Sequence, residues 1–252
     1  MDYPLPNYLV EKAVREALAE DLGLAGDITT DLIIPADARG TAAIVVREPA
    51  RIAGLDLAEA AFRALDPGVT FERLVDNAAT AEAGATIARV EGQTRALLTG
   101  ERTALNFFGL LCGIATQTAA FVAKVEGTKA RIADTRKTTP GLRGLEKYAV
   151  RCGGGVNHRF GLYDAVLVKD NHIAAAGGLG AALERLQAHA GHTVKIGTQR
   201  FALHLVPTGI LAPQARCIVG NGMVVDLPRF FEEVDDLIKS CLLYTSDAAD
   251  DN

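Results

Sequence analysis

From about residue 113 onward, short apolar segments alternate with segments of helical periodicity, and this alternation most constrains the fold. The apolar segments cover residues 130–133, 165–168 and 193–196, and helical patterns cover residues 115–125 and 179–188. Strands that alternate with helices are typical of parallel β/α units, in which ligands bind at the carboxyl ends of the strands. The sequence therefore predicts parallel strands with a ligand site at that edge.

Three clusters of cations follow apolar segments in this part of the chain. The clusters contain Arg136 with Lys137, His158 with Arg159, and Lys169. Residues 129–172 carry nine Lys and Arg against four Asp and Glu, a net charge of +5 in a chain whose net charge is −5. A solvated basic face would explain any one of these residues, but three clusters at strand ends favour a pocket for a substrate with several negative charges. Because the whole chain is acidic, a nucleic-acid partner is disfavoured.

The first part of the chain mixes helices and strands and predicts a compact α+β domain. Helical periodicity covers residues 8–22, 56–65 and 94–111, and strand patterns cover residues 41–46 and 85–90. In the last of these helices, Arg102 lies on a polar stripe that faces either a pocket or water. The 252 residues, of which 49% are hydrophobic, can hold one large domain or two smaller ones.

Targeting and cysteine patterns predict a cytoplasmic protein without a membrane partner. The first residues lack the basic and apolar regions of a signal peptide, and no segment reaches the roughly 18 apolar residues of a membrane span. The four cysteines, at positions 112, 152, 217 and 241, form no C-x-x-C motif. Scattered cysteines of this kind are typical of buried or free thiols in a reducing compartment.

Two further patterns bear on the chemistry. Gly153, Gly154 and Gly155 could wrap a phosphate with backbone N–H groups, but they lack the Lys-Ser/Thr ending of a P-loop, and a plain flexible turn is favoured. No Ser/His/Asp or Cys/His arrangement indicates a nucleophile. Cations without a nucleophile suit a reaction in which one substrate attacks another while the protein supplies position and charge. Phosphoribosyl transfer is such a reaction, with Mg²⁺ bridging the pyrophosphate oxygens of the donor.

Six short motifs resemble the quinolinate phosphoribosyltransferase family and follow that family's order over about residues 1–196. They are Glu20-Asp21, Gly26-Asp27-Ile28-Thr29-Thr30, Gly100-Glu101-Arg102-Thr103-Ala104-Leu105-Asn106, Asp134-Thr135-Arg136-Lys137-Thr138, Asn157-His158-Arg159 and Lys169-Asp170-Asn171-His172. The resemblance implies an α/β fold with an N-terminal α/β sandwich over residues 1–112 and a truncated open α/β barrel over residues 113–196. It also implies a homodimer in which one subunit's N-terminal domain closes the other's barrel.

The same resemblance implies a glycosyltransferase of the pentosyltransferase type in NAD biosynthesis. It would transfer the phosphoribosyl group from phosphoribosyl pyrophosphate to quinolinate, giving nicotinate mononucleotide, pyrophosphate and CO₂. Lys137 and Lys169 are the implied catalytic residues, and no residue is assigned to a metal. The implied substrate-binding residues are Arg102, Thr135, Arg136, Lys137, His158, Arg159 and Lys169. Among them, Arg102 would reach the partner subunit's pocket, and Thr135 and Lys137 would line the junction with the donor.

Two other functions stay open at this point. One is nicotinate phosphoribosyltransferase, which performs the same type of transfer without decarboxylation. The other is a dicarboxylate-binding remnant without catalysis. The resemblance assigns four residues to the two quinolinate carboxylates, namely Arg136, His158, Arg159 and Lys169. This set favours two carboxylates over one, because each carboxylate can pair with a separate cationic group.

The resemblance changes after residue 196. Thr193-Val194-Lys195-Ile196 is followed by Gly197 where the first family has an acidic strand, and residues 190–240 resemble part of adenylosuccinate synthetase. We therefore interpret residues 197–240 as a foreign segment and residues 241–252 as a non-native tail that resembles neither family. This interpretation makes the chain a hybrid reading frame in which much of the donor-phosphate side is missing.

Overall fold

The computed structural model describes residues 4–189, 192–196, 199–203, 232 and 234–236. The chain divides into two compact units, residues 1–166 and residues 167–252. The predicted boundaries at residues 112, 196 and 240 stay predictions. Both units combine helices and strands, which confirms the α/β class at that level.

The first unit contains ten helices and strands in its described part. In chain order they are α1 (Asn7–Leu22), α2 (Ile28–Ile33), β1 (Arg39–Val45), β2 (Ala50–Arg51), α3 (Leu55–Leu65), β3 (Thr70–Arg73), β4 (Thr80–Ala81), β5 (Thr86–Gln93), α4 (Thr94–Lys124) and α5 (Arg143–Cys152). The predicted helices at 8–22 and 56–65 are confirmed as α1 and α3. The predicted strands at 41–46 and 85–90 are confirmed as β1 and β5.

An antiparallel sheet of order β1-β5-β3 forms one layer of this unit, and β2 pairs with β4 beside it. Strand β5 is central because it pairs with both β1 and β3. Its alternate side chains Ala88 and Val90 are buried against the core. The core continues into α3 and α4, where Leu57 and Leu111 are fully buried. Burial of this apolar surface is the main favourable term that holds the helices on the sheet.

Helix α4 differs from the sequence expectation in two ways. It runs without a break from Thr94 to Lys124, whereas the sequence analysis ended one helix at residue 111 and began another at 115. A glycine inside a helix costs less than about 1 kcal/mol of stability relative to alanine. The packing of α4 on the core outweighs this cost at Gly113, so the helix continues through it. In the described part of the chain, α4 is also the one helix long and apolar enough by composition to cross a membrane. Its buried residues, such as Ala104 and Phe108, belong to the core of this unit.

The predicted strands at 130–133 and 165–168 are wrong as strands. The first is reduced to an isolated parallel bridge between Ala133 and Val156. The second has no strand assignment, and Val166 is 74% exposed. A parallel strand is stable only between neighbouring strands and beneath covering helices, and the described residues supply neither here. No barrel is seen in the described part of the chain, so that finer part of the predicted fold is not shown.

The second unit contains α6 (Asp170–Ala176), α7 (Leu179–His189), β6 (His192–Ile196) and β7 (Gln199–Leu203). Helix α7 and strand β6 confirm the helix predicted at 179–188 and the strand predicted at 193–196. Strand β6 pairs with β7 in an antiparallel hairpin, so the parallel arrangement predicted for it is wrong. Most of the predicted segment at 197–240 and all of residues 241–252 lie outside the described residues.

Candidate anion-binding site

Two turns that carry the predicted cations lie side by side in the first unit. We call residues 134–139 the Arg136 turn and residues 157–160 the Arg159 turn. The parallel bridge between Ala133 and Val156 aligns the segments that lead into them. The Asp134 N–H donates a hydrogen bond of 3.2 Å to the Val156 carbonyl, which continues this alignment. The structure thus brings together two of the three cationic clusters predicted from the sequence.

A buried ion pair ties the two turns together. The Lys147 ammonium is only 2% exposed and pairs with the Asp134 carboxylate. Lys147 also donates to the His158 carbonyl at 3.0 Å. The Asp134 carboxylate also accepts hydrogen bonds from the backbone N–H of His158 at 2.9 Å and from the side-chain amide of Asn157 at 2.5 Å. Asp134 opens the Arg136 turn, so its carboxylate fixes that turn to the Arg159 turn.

Arg136 is half-buried, and its Nε is a buried donor without an acceptor among the described residues. Buried donors in folded proteins nearly always have a partner, so this atom indicates a place for an external acceptor. Thr135 and Lys137 are exposed beside it, and the Lys137 N–H donates to the Thr135 hydroxyl at 3.0 Å. An anion bound at the Arg136 turn would satisfy the guanidinium.

The Arg159 turn is held by its own hydrogen bonds. The Arg159 guanidinium donates to the Ala165 carbonyl at 2.9 Å, and the backbone N–H of Arg159 donates to Nδ1 of His158 at 2.8 Å. Because Nδ1 accepts a hydrogen bond, a neutral His158 carries its proton on Nε2 and can donate from that atom. The Asp164 carboxylate accepts the Phe160 and Gly161 N–H groups. The hydrogen bond from Phe160 is the largest cause that holds the pKa of Asp164 below its ordinary value.

Lys169 and Arg102 are placed differently from the other predicted site residues. Lys169 belongs to the second unit, where it is exposed and precedes α6 as its N-cap residue. Its N–H donates to Nδ1 of His172 at 3.0 Å. The prediction that Lys169 terminates a buried strand is therefore wrong. Arg102 is exposed on α4. The predicted roles of both residues in substrate binding stay predictions.

The polar stripe of α4 is partly structural. Arg95 donates to the Ile34 carbonyl at 2.8 Å and to the Asp31 carboxylate at 2.8 Å, and the Thr99 hydroxyl donates to Asp27 at 2.9 Å. Asp27 caps α2 by accepting the Thr30 N–H. The interaction with the Thr30 side chain is the largest cause of its lowered pKa, followed by this backbone hydrogen bond. This part of the stripe therefore holds α2 on α4 through contacts that are still partly exposed to water.

The glycine-rich segment is not a phosphate loop. The N–H groups of Gly153, Gly154 and Gly155 donate to the carbonyls of Ala149, Arg151 and Val150. All three donors are thus occupied at the end of α5. Gly153 is buried against α4, where a Cβ would lie 2.4 Å from the Ala115 carbonyl oxygen. Close packing of α5 on α4 explains Gly153. Gly153 and Gly154 form the predicted turn, and its flexibility stays a prediction.

Sequence reasoning missed three charged residues that contact the two turns, and all three lie on α5. They are Arg143, Glu146 and Lys147. In the sequence these residues contribute to the net charge of residues 129–172, and no helix is predicted for residues 143–152. Their i, i+3, i+4 spacing is the signal that could have found them, because it places them on one face of a helix.

Metal and thiol chemistry find no support in the described residues. No group of three or more His, Cys, Asp or Glu side chains is arranged there to hold a metal ion, so none of these residues is assigned to Mg²⁺. Cys112 and Cys152 are free and buried, as the sequence predicted. Burial raises the pKa of Cys112 to about 11 and also raises that of Cys152. Neither is therefore a thiolate nucleophile near neutral pH.

The two cationic turns lie side by side, and the buried Nε of Arg136 has no acceptor among the described residues, so this site is suited to a small polyanion. Comparison with known proteins defines the class further. Residues 27–112 match the N-terminal domain of quinolinate phosphoribosyl transferase, and residues 114–201 match its C-terminal domain. The chain belongs to the quinolinate phosphoribosyltransferase family.

Individual relatives agree with this assignment. The nicotinate-nucleotide pyrophosphorylase [carboxylating] of Mycobacterium leprae is 50% identical over 182 residues, covering 70% of this chain and 63% of the relative. The probable enzyme of the same name from Synechocystis is 41% identical over 221 residues, covering 88% and 74%. The solved structure of the Francisella tularensis nicotinate-nucleotide pyrophosphorylase is 43% identical, with a TM-score of 0.69, covering 73% of this chain and 65% of that one. The chain thus spans a little under two thirds of some relatives that it matches.

A second family matches the other end of the chain. Residues 185–249 match adenylosuccinate synthetase, which confirms the second resemblance seen in the sequence. The two family matches overlap over residues 185–201, a region that contains the predicted join. The match extends to residue 249, so most of the segment that the sequence analysis assigned to neither family falls within it.

Proposed function

We propose that this chain binds quinolinate and performs phosphoribosyl transfer with decarboxylation, at a rate reduced by loss of the donor side. Quinolinate, phosphoribosyl pyrophosphate and Mg²⁺ are the proposed ligands, and Mg²⁺ would offset the negative charge of the donor's pyrophosphate. The relatives at 41–50% identity are named for this activity. The observation that carries the proposal is the buried Nε of Arg136, which lies beside the Arg159 turn and has no acceptor within the part of the chain that the structure describes.

The acceptor chemistry follows from these cations. A pyridine with two carboxylates needs at least two cationic partners, and Arg136 and Arg159 can each hold a carboxylate through paired N–H groups. The Nε2–H of His158 adds a further donor, and Lys169 is the fourth proposed partner. With the ring held, its nitrogen attacks C1 of the sugar as pyrophosphate leaves. The pyridinium that forms then stabilises the carbanion left by loss of CO₂ from the adjacent carbon, and a proton from water takes the place of the lost CO₂.

On the donor side, Thr135 and Lys137 are the proposed residues. Both are exposed and lie within three residues of Asp134, whose carboxylate holds the turn. A lysine ammonium is a mobile point charge, so Lys137 is suited to follow the charge that moves from the sugar to the leaving pyrophosphate. Electrostatic contacts of this kind contribute most when they strengthen in the transition state. Lys137 and Lys169 are accordingly the proposed catalytic residues.

The proposed assembly follows the family. It comprises an N-terminal α/β sandwich over residues 1–112 and a truncated open α/β barrel over residues 113–196. It is a homodimer in which Arg102 of one subunit reaches the site of the other, and we place it in the cytoplasm. The exposure of Arg102 on α4 supports this role, because a side chain that contacts a second subunit is exposed in the isolated chain.

We also propose that the chain has a hybrid origin, in which parts of two protein families are joined in one reading frame. The overlap of the two family matches over residues 185–201 supports a join in this region. Sequencing the source DNA across codons 188–200 is expected to reproduce the change of family. A single frame that continues from Ile196 into an acidic strand would contradict the hybrid interpretation.

Binding and turnover of the purified chain test the proposed function. We expect isothermal titration to show quinolinate binding at least about tenfold tighter than nicotinate binding, because nicotinate lacks one charge-assisted contact. Quinolinate-dependent pyrophosphate release should be slower than that of the M. leprae relative, which serves as the positive control. Quinolinate binding without any release would identify a dicarboxylate-binding remnant. Release with nicotinate but not quinolinate would identify the other transferase, and no binding of either would refute the proposal.

A further inference from the structure

Helix α5 presents a charged face to both turns of the candidate site. Arg143, Glu146 and Lys147 stand at i, i+3 and i+4 on this helix, which places them on one side of it. Leu145, Tyr148, Ala149 and Cys152 are buried and belong to the core of the first unit. The helix is therefore fixed to the core, and its charged face can serve as a rigid support.

Two of the three charged residues each contact both turns. Lys147 pairs with Asp134 of the Arg136 turn and donates to the His158 carbonyl of the Arg159 turn. Arg143 repeats this pattern, since its Nε donates to the Thr138 hydroxyl at 3.1 Å and its Nη1 donates to the Phe160 carbonyl at 3.2 Å. The two bridges lie one helical turn apart.

The third residue holds only the Arg136 turn. The Glu146 carboxylate accepts the Thr139 N–H, with distances of 3.2 and 3.3 Å to its two oxygens. Asp134 and Glu146 thus fix the Arg136 turn at its first and last residues. Arg136 lies between these two points, so its backbone has little freedom to move away from α5.

We propose that Arg143, Glu146 and Lys147 are positioning residues that set the separation of Arg136 and Arg159, and thereby favour an acceptor with two carboxylates over one with a single carboxylate. The proposal rests on the proposed function for the identity of the acceptor. A monocarboxylate can pair with either cation whatever their separation. A rigid dicarboxylate pairs with both Arg136 and Arg159 only when their separation matches the distance between its two carboxylates. Its affinity therefore depends more steeply on how α5 holds the two turns.

The alternative is that the Lys147–Asp134 pair stabilises the fold and has no effect on selectivity. Removing one partner of a buried pair leaves the other charge without a partner and is strongly destabilising. Loss of stability alone therefore cannot separate the two roles. The decisive quantity is the ratio of quinolinate to nicotinate affinity, because a loss of stability in a chain that stays folded lowers both affinities alike.

The test compares Lys147→Met with Leu145→Ala in the full chain. Methionine keeps the length and apolar stem of lysine but removes its charge. Leu145 is 3% exposed on the same helix, and its truncation creates a cavity that should lower the melting temperature without touching either turn. Isothermal titration with quinolinate and with nicotinate is run well below both melting temperatures. We expect Lys147→Met to lower the affinity ratio by about tenfold or more, and Leu145→Ala to leave it within about twofold.

Arg143→Met is the second variant, and it keeps the buried Lys147 pair. It should lower the affinity ratio in the same direction while the chain stays folded, because the bridge that it removes is only partly buried. If both Lys147→Met and Arg143→Met keep the wild-type ratio, the proposal is wrong. If Lys147→Met does not fold, the ratio measured for Arg143→Met decides alone.

A measurement without ligand separates failure of this proposal from failure of the proposed function. The His158 N–H donates to Asp134, so its exchange with solvent reports whether the two turns stay joined. By NMR on ¹⁵N-labelled chain, this amide should exchange about tenfold faster in Lys147→Met than in Leu145→Ala. Equal exchange in the two variants would overturn the positioning role even if wild-type chain binds no quinolinate. Faster exchange without quinolinate binding would support the positioning of the turns and refute the proposed function.

Discussion

Replacing Arg136 with methionine should weaken quinolinate binding by about 100-fold and leave the chain at least as stable as before. The loss in affinity follows because a guanidinium that grips a carboxylate makes charge-assisted hydrogen bonds worth about 1.5–3 kcal/mol each. Stability should not fall because the Nε of Arg136 is buried without an acceptor among the described residues. Replacing a buried unsatisfied donor with an apolar group removes a desolvation cost.

Arg89→Met is the matched control for this experiment. The Arg89 side chain is 64% exposed and pairs with Glu72 at 3.5 Å on the surface of the sheet, and exposed pairs of this kind contribute at most about 1 kcal/mol. This variant should change neither quinolinate affinity nor stability measurably. Isothermal titration and urea unfolding provide the two readouts. A large loss of stability in Arg136→Met with unchanged quinolinate affinity would make Arg136 a structural residue and remove the main support for the site.

The elements that the sequence predicted well are those whose signal is local. Helices α1 and α3 show apolar residues at helical spacing, and β5 alternates buried and exposed residues because one face covers the core. Residues 165–168 show an equally apolar pattern but form no strand. A parallel strand depends on partners far away in the sequence, and an apolar run cannot show whether those partners are present.

The cations of the candidate site could be predicted from the sequence, but the contacts that hold them in place could not. Arg136 and Arg159 stand out because each belongs to a cluster of cations within residues 129–172, which carry a net charge of +5. Lys147 was counted among solvated charges, since an isolated lysine in a sequence is most often exposed. Its burial depends on Asp134 and on the His158 carbonyl, which are 13 and 11 residues away. Only the packing of α5 on the core shows that these groups meet.

In the second unit a predicted strand forms, but it pairs with a different neighbour and in a different direction from the prediction. Residues 193–196 form the predicted strand, but β6 pairs with β7 immediately after it in the chain. A hairpin needs only a short connection, whereas a parallel pair needs a crossover of a dozen or more residues. Strand β7 lies at residues 199–203, within the overlap of the two family matches and just beyond it. The antiparallel pairing therefore arises where the sequence changes family.

Gly153→Ala should destabilise the first unit by about 3 kcal/mol, a large effect for the addition of one methyl group. The added Cβ would lie 2.4 Å from the Ala115 carbonyl oxygen and 2.6 Å from the Thr118 Cβ. Both atoms belong to the interior of α4, where the backbone cannot shift without breaking helical hydrogen bonds. Gly153 has an ordinary negative φ of −76°, so the expected cost is steric and not conformational.

Gly113→Ala is the control variant, and we expect it to raise stability where Gly153→Ala lowers it. Gly113 lies inside α4, and a Cβ there would meet no atom within 4 Å. Alanine should therefore stabilise the helix by about 0.5–1 kcal/mol. Urea unfolding of both variants, followed by circular dichroism, measures the two changes against the same wild-type chain. If Gly153→Ala is as stable as wild type, α5 does not pack closely on α4. The rigid support inferred for the Arg136 and Arg159 turns would then lose its anchor, since α5 could move together with the cations that it holds.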